Sequence, residues 1–198
     1  MKKGKGFIFV ISGPSGSGKT TLIRSLLEDR DLKKALVKSV SFTTRSKRAN
    51  EKKGKDYFFI TPERFRVLRK HRKIIEWTKY LSYYYGTPKD YIDAQLKKGR
   101  SVALCLDTKG AASMRGIYPT RTRTIFVLPP KIEILKERIR SRSKEIKEKD
   151  LLSRLSLAKK EIFLARRYDY RVLNDDFQLA LKQLKEIIRK EIGYQRRG

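Results

Sequence analysis

Residues 13–20 read Gly-Pro-Ser-Gly-Ser-Gly-Lys-Thr and satisfy the pattern G-x-x-x-x-G-K-[ST]. The segment before it, Gly6–Ser12 (GFIFVIS), is short, apolar and rich in β-branched and aromatic residues, which predicts a buried strand. The segment after it, Thr20–Asp29, carries Leu22, Ile23, Leu26 and Leu27 at helical spacing. A strand, a glycine loop and a helix in that order form a phosphate cradle. Glycines let consecutive backbone N–H groups turn inward around an anion, and the helix presents its positive end to the same place. Gly13, Pro14, Ser15, Gly16, Ser17, Gly18, Lys19, Thr20 and Thr21 are therefore the candidate nucleotide-phosphate site. Lys19 is placed to reach the β- and γ-phosphates, and Thr20 to offer a hydroxyl to Mg²⁺.

More short apolar runs follow at Val37–Phe42, Tyr57–Ile60, Val102–Leu106, Thr124–Leu128 and Tyr170–Leu173, with helical patterns between several of them. Thr61-Pro62 and Thr87-Pro88 read as helix starts, and Pro129-Pro130 stops a strand before a helix bearing Ile132, Leu135 and Ile139. Leu151, Leu152, Leu155, Ala158 and Ile162 mark another helix. Asp175 or Asp176 caps a last one with Phe177, Leu181, Leu184 and Ile188 on one face. Strands alternating with helices predict an α/β fold with a mostly parallel sheet flanked by helices. Asn50–Lys55 is polar and basic and reads as a loop.

Composition removes several chemistries. A single cysteine, Cys105, excludes an intramolecular disulfide and a cysteine-rich zinc site. A single histidine, His71, excludes a multi-histidine metal site, and its setting among Arg69, Lys70, Arg72 and Lys73 reads as a solvated helix position. The apolar run at the N-terminus is too short for a signal peptide, and no run approaches membrane-spanning length. These features predict a soluble chain in a reducing, cytoplasmic compartment. Fifty Lys and Arg against 21 Asp and Glu leave a net charge of +29, a field that draws polyanions and phosphate-rich ligands.

A series of further segments narrows the choice among nucleotide-binding chains: SVSFTTRSKR (residues 39–48), GKDYFF (54–59), IIEW (74–77), YYGTPKDYI (84–92), LDTKGA (106–111) and VLNDD (172–176). Together with the glycine loop, over about residues 6–190, they resemble the guanylate kinases, nucleoside monophosphate kinases of the P-loop class. The resemblance implies a P-loop kinase fold in a single domain, with a core of about 1–38, 92–130 and 160–198, a GMP-binding insertion of about 39–91 and a helical lid of about 131–159. It implies ATP + GMP giving ADP + GDP with Mg²⁺, and dGMP as a further acceptor. Matched position by position, Ser41, Arg45, Arg48, Tyr57, Glu76, Tyr85, Thr87 and Asp107 fall on the family's GMP site. Arg138, Arg142 and Arg154 fall on its lid arginines, and Asn174 on a position near the adenine of ATP.

Each match also makes sense as chemistry. The GMP phosphate is a dianion that Arg45 and Arg48 can grip bidentately, with Tyr57 and Tyr85 as neutral donors. A carboxylate at Glu76 accepts from both N1–H and the exocyclic amine of guanine, a donor pair that adenine lacks. Lid arginines neutralise charge on the transferring group and exclude water. The acceptor is already an anionic phosphate oxygen, so no general base is required. Tyr83 and Tyr84 read as packing or surface residues, and Trp77 as core. One position departs from the family: its usual D-x-D reads Cys105-Leu106-Asp107 here, and a thiol offers Mg²⁺ neither charge nor a hard oxygen. Two other readings stand beside the kinase: a non-catalytic guanylate-kinase-like protein-binding module, and a kinase with weak, non-specific nucleic-acid binding as a second role. Lys19, Arg45 and Arg48 favour the enzyme, because such modules commonly lose them.

Overall fold

The computed structural model describes residues 6–80, 82–142 and 146–193. Two sheets organise these residues. The larger is five-stranded and parallel throughout, in the order β2 (Leu36–Lys38), β7 (Ser101–Cys105), β1 (Ile8–Ser12), β8 (Thr122–Leu128), β9 (Tyr170–Leu173). All five residues of β1 are buried, as a central parallel strand covered on both faces must be. Side chains alternate across it. Phe9 and Ile11 join Leu22 and Leu26 of α1 (Lys19–Glu28) with Leu184 and Ile188 of α8 (Phe177–Glu191). Ile8 and Val10 join Ile92 and Leu96 of α4 (Lys89–Lys97) and Met114 of α5 (Thr108–Ile117) on the other face. Truncating Phe9, which is fully buried, costs about 3–5 kcal/mol by the usual cavity penalty.

The smaller sheet is mixed, in the order β4 (Phe58–Phe59), β3 (Phe42–Thr43), β6 (Tyr83–Pro88), β5 (Ile74–Tyr80). Only β3 and β4 run parallel; β6 is antiparallel to both β3 and β5. Phe65 of α3 (Pro62–Lys70) is buried beneath it and stacks on Tyr84 at 5.3 Å. Thr61 caps α3 by accepting from the Arg64 amide, with Pro62 at the first helical position. Asp176 caps α8 in the same way, accepting from the Leu179 amide. A short helix, α2 (Leu32–Ala35), leads into β2. Two helices after β8, α6 (Ile132–Arg142) and α7 (Glu148–Leu164), enclose a small core of Leu135, Ile139, Leu151 and Ala158.

The structure revises several expectations. The run Val37–Phe42 is not one strand: β2 ends at Lys38 and β3 begins at Phe42 in the other sheet. Thr87 and Pro88 end β6, and α4 starts after them at Lys89. Trp77 is not core. Its ring is 44 % exposed and lies under the Arg69 guanidinium at 4.8 Å. Leu152 faces solvent, while its neighbour Leu151 fills the helix pair. Among the described residues no helix is long and apolar enough to cross a membrane.

Candidate active site

The glycine loop leaves β1 and enters α1 with Gly13, Gly16 and Gly18 at φ 147°, 89° and 88°, values that side chains with a Cβ rarely adopt. This geometry turns the backbone inward. Lys19 starts α1 and its Nζ donates to the Pro14 carbonyl at 3.0 Å, so the ammonium lies across the loop. Ser15 and Thr20 are exposed; Gly13, Pro14, Gly16 and Ser17 are buried; Thr21 is intermediate. Ser17 Oγ is buried without a protein partner, an unspent polar atom within the cradle.

Two groups fasten the loop from outside. Asn174, at the end of β9, donates from Nδ2 to the Ser17 carbonyl at 2.7 Å in a buried contact. A Cβ at Gly18 would lie 2.2 Å from that nitrogen, so the glycine is required by the contact as well as by its dihedral angle. The resemblance puts Asn174 near adenine; here its amide is committed to the phosphate loop. Arg138, on α6, donates to the Gly16 carbonyl at 3.3 Å, which brings that helix onto the loop. Arg154 is half-buried and its Nε has no protein partner. The side chain of Arg142 lies outside the described residues.

The second half of the site is built on the small sheet. Glu76, on β5, is buried; its Oε1 accepts from Thr87 Oγ1 of β6 at 2.5 Å. Gly110 of α5 leaves room for the other oxygen, since a Cβ there would sit 2.9 Å from Glu76 Oε2. Burial pushes the Glu76 carboxyl up to about 7; the Thr87 hydrogen bond opposes the shift and the Asp107 charge adds to it. Asp107 caps α5, its Oδ1 accepting from the Gly110 amide at 2.7 Å.

Arg45 is held from two sides, donating to Glu51 at 2.6 Å and to the Ser46 carbonyl at 2.6 Å. Its guanidinium lies 5.6 Å from the Tyr57 ring centroid, and the Tyr57 and Tyr85 rings meet edge to face at 5.8 Å. Burial pushes the Tyr57 hydroxyl up, and the nearby Cys105 and Tyr85 add to the shift. Arg48 presents an exposed side chain while its backbone amide donates to the second Glu51 oxygen at 2.9 Å. Ser41 is half-buried, and its carbonyl accepts from the Phe58 amide at 2.9 Å, which joins β3 to β4. Cys105 ends β7 half-buried against the main core.

Two residues are absent from the sequence reading. Glu51, in the polar loop, accepts from the Arg45 guanidinium and from the Arg48 backbone amide; its spacing to Arg45 and Arg48 was the available signal. Glu161, on α7, is half-buried, and Lys19 and Asp107 are the charges that act on its carboxyl. Burial holds that carboxyl up and the Lys19 charge opposes the shift, so it lies within electrostatic reach of the loop lysine. Among the described residues no three His, Cys, Asp or Glu side chains converge as a metal cage. Oxygen donors near the loop include the hydroxyls of Ser17 and Thr20 and the carboxylates of Asp107 and Glu161. That set fits a hard ion carried mainly by phosphate oxygens, as Mg²⁺ with a nucleotide is.

A glycine loop with Arg138 of α6 resting on it, and a buried carboxylate near an arginine cluster on a separate small sheet, are the features that stand out. The family model for guanylate kinase matches residues 5–191. The chain belongs to the guanylate kinase family. A guanylate kinase from Synechocystis sp. is 40% identical over 187 residues, covering 94% of this chain and 95% of that protein. One from Rickettsia prowazekii is 41% identical, covering 94% of this chain and 92% of that one. The crystal structure of a guanylate kinase from Anaplasma phagocytophilum superposes with a TM-score of 0.80 at 32% identity, covering 97% of this chain and 88% of that one. The parallel sheet and the separate small mixed sheet are thus those of a guanylate kinase.

Proposed function

We propose that the chain transfers the γ-phosphoryl group of ATP to the phosphate of GMP, giving ADP and GDP. The observation that carries the reading is Glu76: a buried carboxylate with one oxygen fixed by Thr87, on the small sheet of a chain that has a complete phosphate loop.

Glu76 accepts from N1–H and the exocyclic amine of guanine, with Thr87 and Ser41 completing the base edge. Arg45 and Arg48, with Tyr57 and Tyr85, hold the GMP phosphate, and Glu51 fixes the Arg45 guanidinium. The loop amides, the positive end of α1 and Lys19 hold the ATP phosphates. A GMP phosphate oxygen then attacks the γ-phosphorus. The new P–O bond forms as the bond to the β–γ bridging oxygen breaks, and that electron pair leaves on ADP. The acceptor oxygen is anionic already, so no proton is removed from it. Arg138 and Arg154, with Arg142 from the same lid, spread their charge over the equatorial oxygens and shut out water. Thr20, and Asp107 through water, would hold Mg²⁺, which neutralises the β- and γ-phosphates when it arrives with ATP. Residues of about 39–91 act as the GMP-binding insertion and about 131–159 as the lid on the remaining core. These substrates are cytoplasmic, and the reading places the enzyme there.

The test is ADP release with GMP, dGMP, AMP and UMP as acceptors. GMP should be preferred over AMP by several orders of magnitude, and dGMP should follow GMP, because the base edge is what Glu76 reads. AMP and GMP turning over equally would overturn the assignment.

A further inference from the structure

The proposed site accounts for Lys19, Arg45, Arg48, Arg138, Arg142 and Arg154, six cations of the 50 in the chain. Three separate stretches converge at the β2 edge of the main sheet, the edge farthest from β9 in the strand order. Lys38 of β2 donates from Nζ to the Lys55 carbonyl at 3.1 Å. Arg100, just before β7, donates to the Lys33 carbonyl of α2 at 3.4 Å. Tyr91 of α4 donates to the Lys38 carbonyl at 3.2 Å and keeps its ring 37 % exposed.

The cations on the stretches that these contacts join are Lys33, Lys34, Lys38, Lys53, Lys55 and Arg100. None of them takes part in an ion pair among the described residues. The nearby acids are committed elsewhere: Asp56 accepts from the Lys52 amide at 2.8 Å, and Asp31 lies 3.9 Å from Arg189. The Nε of Arg100 is buried with no acceptor. Like charges held together by backbone contacts repel one another, and a polyanion relieves that repulsion. A row of cations beside an exposed aromatic ring suits one class of polyanion in particular. Phosphates track the cations while a base stacks on the ring.

We propose that the β2 edge is a binding face for single-stranded nucleic acid, contacted through phosphate by Lys33, Lys34, Lys38, Lys53, Lys55 and Arg100, with Tyr91 as a stacking surface. It uses none of the side chains placed on ATP or GMP, and its failure would leave the kinase reading untouched.

Fluorescence anisotropy with a labelled single strand of about 20 nucleotides, between about 50 and 200 mM salt, tests the proposal. Binding should weaken steeply with salt. The triple variant Lys38→Gln, Arg100→Gln, Lys55→Gln should lower the slope of log K against log salt by about 2, since each single-strand phosphate contact contributes about 0.7. A second triple, Lys33→Gln, Lys34→Gln, Lys53→Gln, changes exposed side chains only and should do the same without risk to folding. A control triple of equal charge, Lys149→Gln, Lys182→Gln, Lys190→Gln, should leave the slope nearly unchanged. Equal slope losses in the control and the face variants would overturn the proposal. So would tighter binding to vesicles containing phosphatidylserine than to the oligonucleotide, or binding unaffected by either face triple.

Discussion

Thr87 Oγ1 donates to Glu76 Oε1 at 2.5 Å, from one strand of the small sheet to its neighbour, in a contact closed to solvent. That hydroxyl spends its proton on one carboxylate oxygen and fixes the plane of the group. It does not undo the cost of burial, and the carboxyl stays up at about 7. Guanine needs the ionised form, because both of its edge groups are donors.

Binding of GMP should therefore expel protons. With the free carboxyl near half-ionised at pH 7, about half a proton should leave per GMP bound, rising toward one near pH 6 and vanishing near pH 8. The sign follows from the raised value: the free site holds a proton that the complex cannot. Calorimetry in two buffers of different ionisation heat measures the release. The Glu76→Gln variant subtracts any contribution from the GMP phosphate. No difference between the two proteins would place the proton elsewhere.

The same substitution should cost selectivity. An amide presents one acceptor and one donor to two guanine donors, so one hydrogen bond becomes a repulsion. A loss of about 2–4 kcal/mol in kcat/KM for GMP is expected, with KM for ATP unchanged. An undiminished preference for GMP over AMP would mean that another residue reads the base.

Lys19→Ala should remove activity and leave the fold alone. Among the described residues the ammonium hydrogen-bonds only to the Pro14 carbonyl, in a partly buried contact, so little packing depends on it. A loss of at least about 100-fold in kcat is expected, the usual scale for deleting one group that meets developing charge. Circular dichroism and thermal melting should match the parent chain.

Asn174→Ala should do the reverse, acting first on stability. It strands the Ser17 carbonyl, which is buried, at a cost of about 1–3 kcal/mol. The loop then loses its tie to β9, and KM for ATP should rise while KM for GMP holds. A rise in KM for ATP without loss of stability would favour direct contact with the nucleotide instead.

The phosphate loop and the strands of the parallel sheet were legible because local chemistry dictates them: glycines at positive φ, and apolar runs that must be covered on both faces. The β5–β6 hairpin was not. In IIEWTKY the polarity is inverted, with Glu76 inward and Trp77 outward, and the register shifts between Ile74 and Trp77. Only the need for a buried carboxylate explains that pattern, and a periodicity argument takes the tryptophan for core. Glu161 was hidden for a related reason. Leu151, Leu155, Ala158 and Ile162 define the apolar face of α7, and nothing in their spacing says that Glu161 comes within electrostatic reach of the loop lysine. Glu51 was hidden among charged loop residues, where its two partners become evident only in three dimensions.

Cys105 tests how far one position can depart from the family. It ends β7 two residues before Asp107, packs half-buried against the main core, and lies near the Tyr57 hydroxyl. Cys105→Asp puts a carboxylate beside a second acid and a desolvated phenol, so thermal stability should fall, by about 1–3 kcal/mol for a polar group left partly unpaired. The same carboxylate adds charge and hard oxygens where the family usually has them, so the Mg²⁺ concentration for half-maximal rate should also fall. Cys105→Ser separates the two effects, because it changes polarity without adding charge. A lower Mg²⁺ requirement in the aspartate variant alone would place position 105 in the outer surroundings of the ion. An unchanged Mg²⁺ response, with stability lost in both, would make Cys105 a packing residue and leave Thr20 and Asp107 as the oxygens that organise the metal.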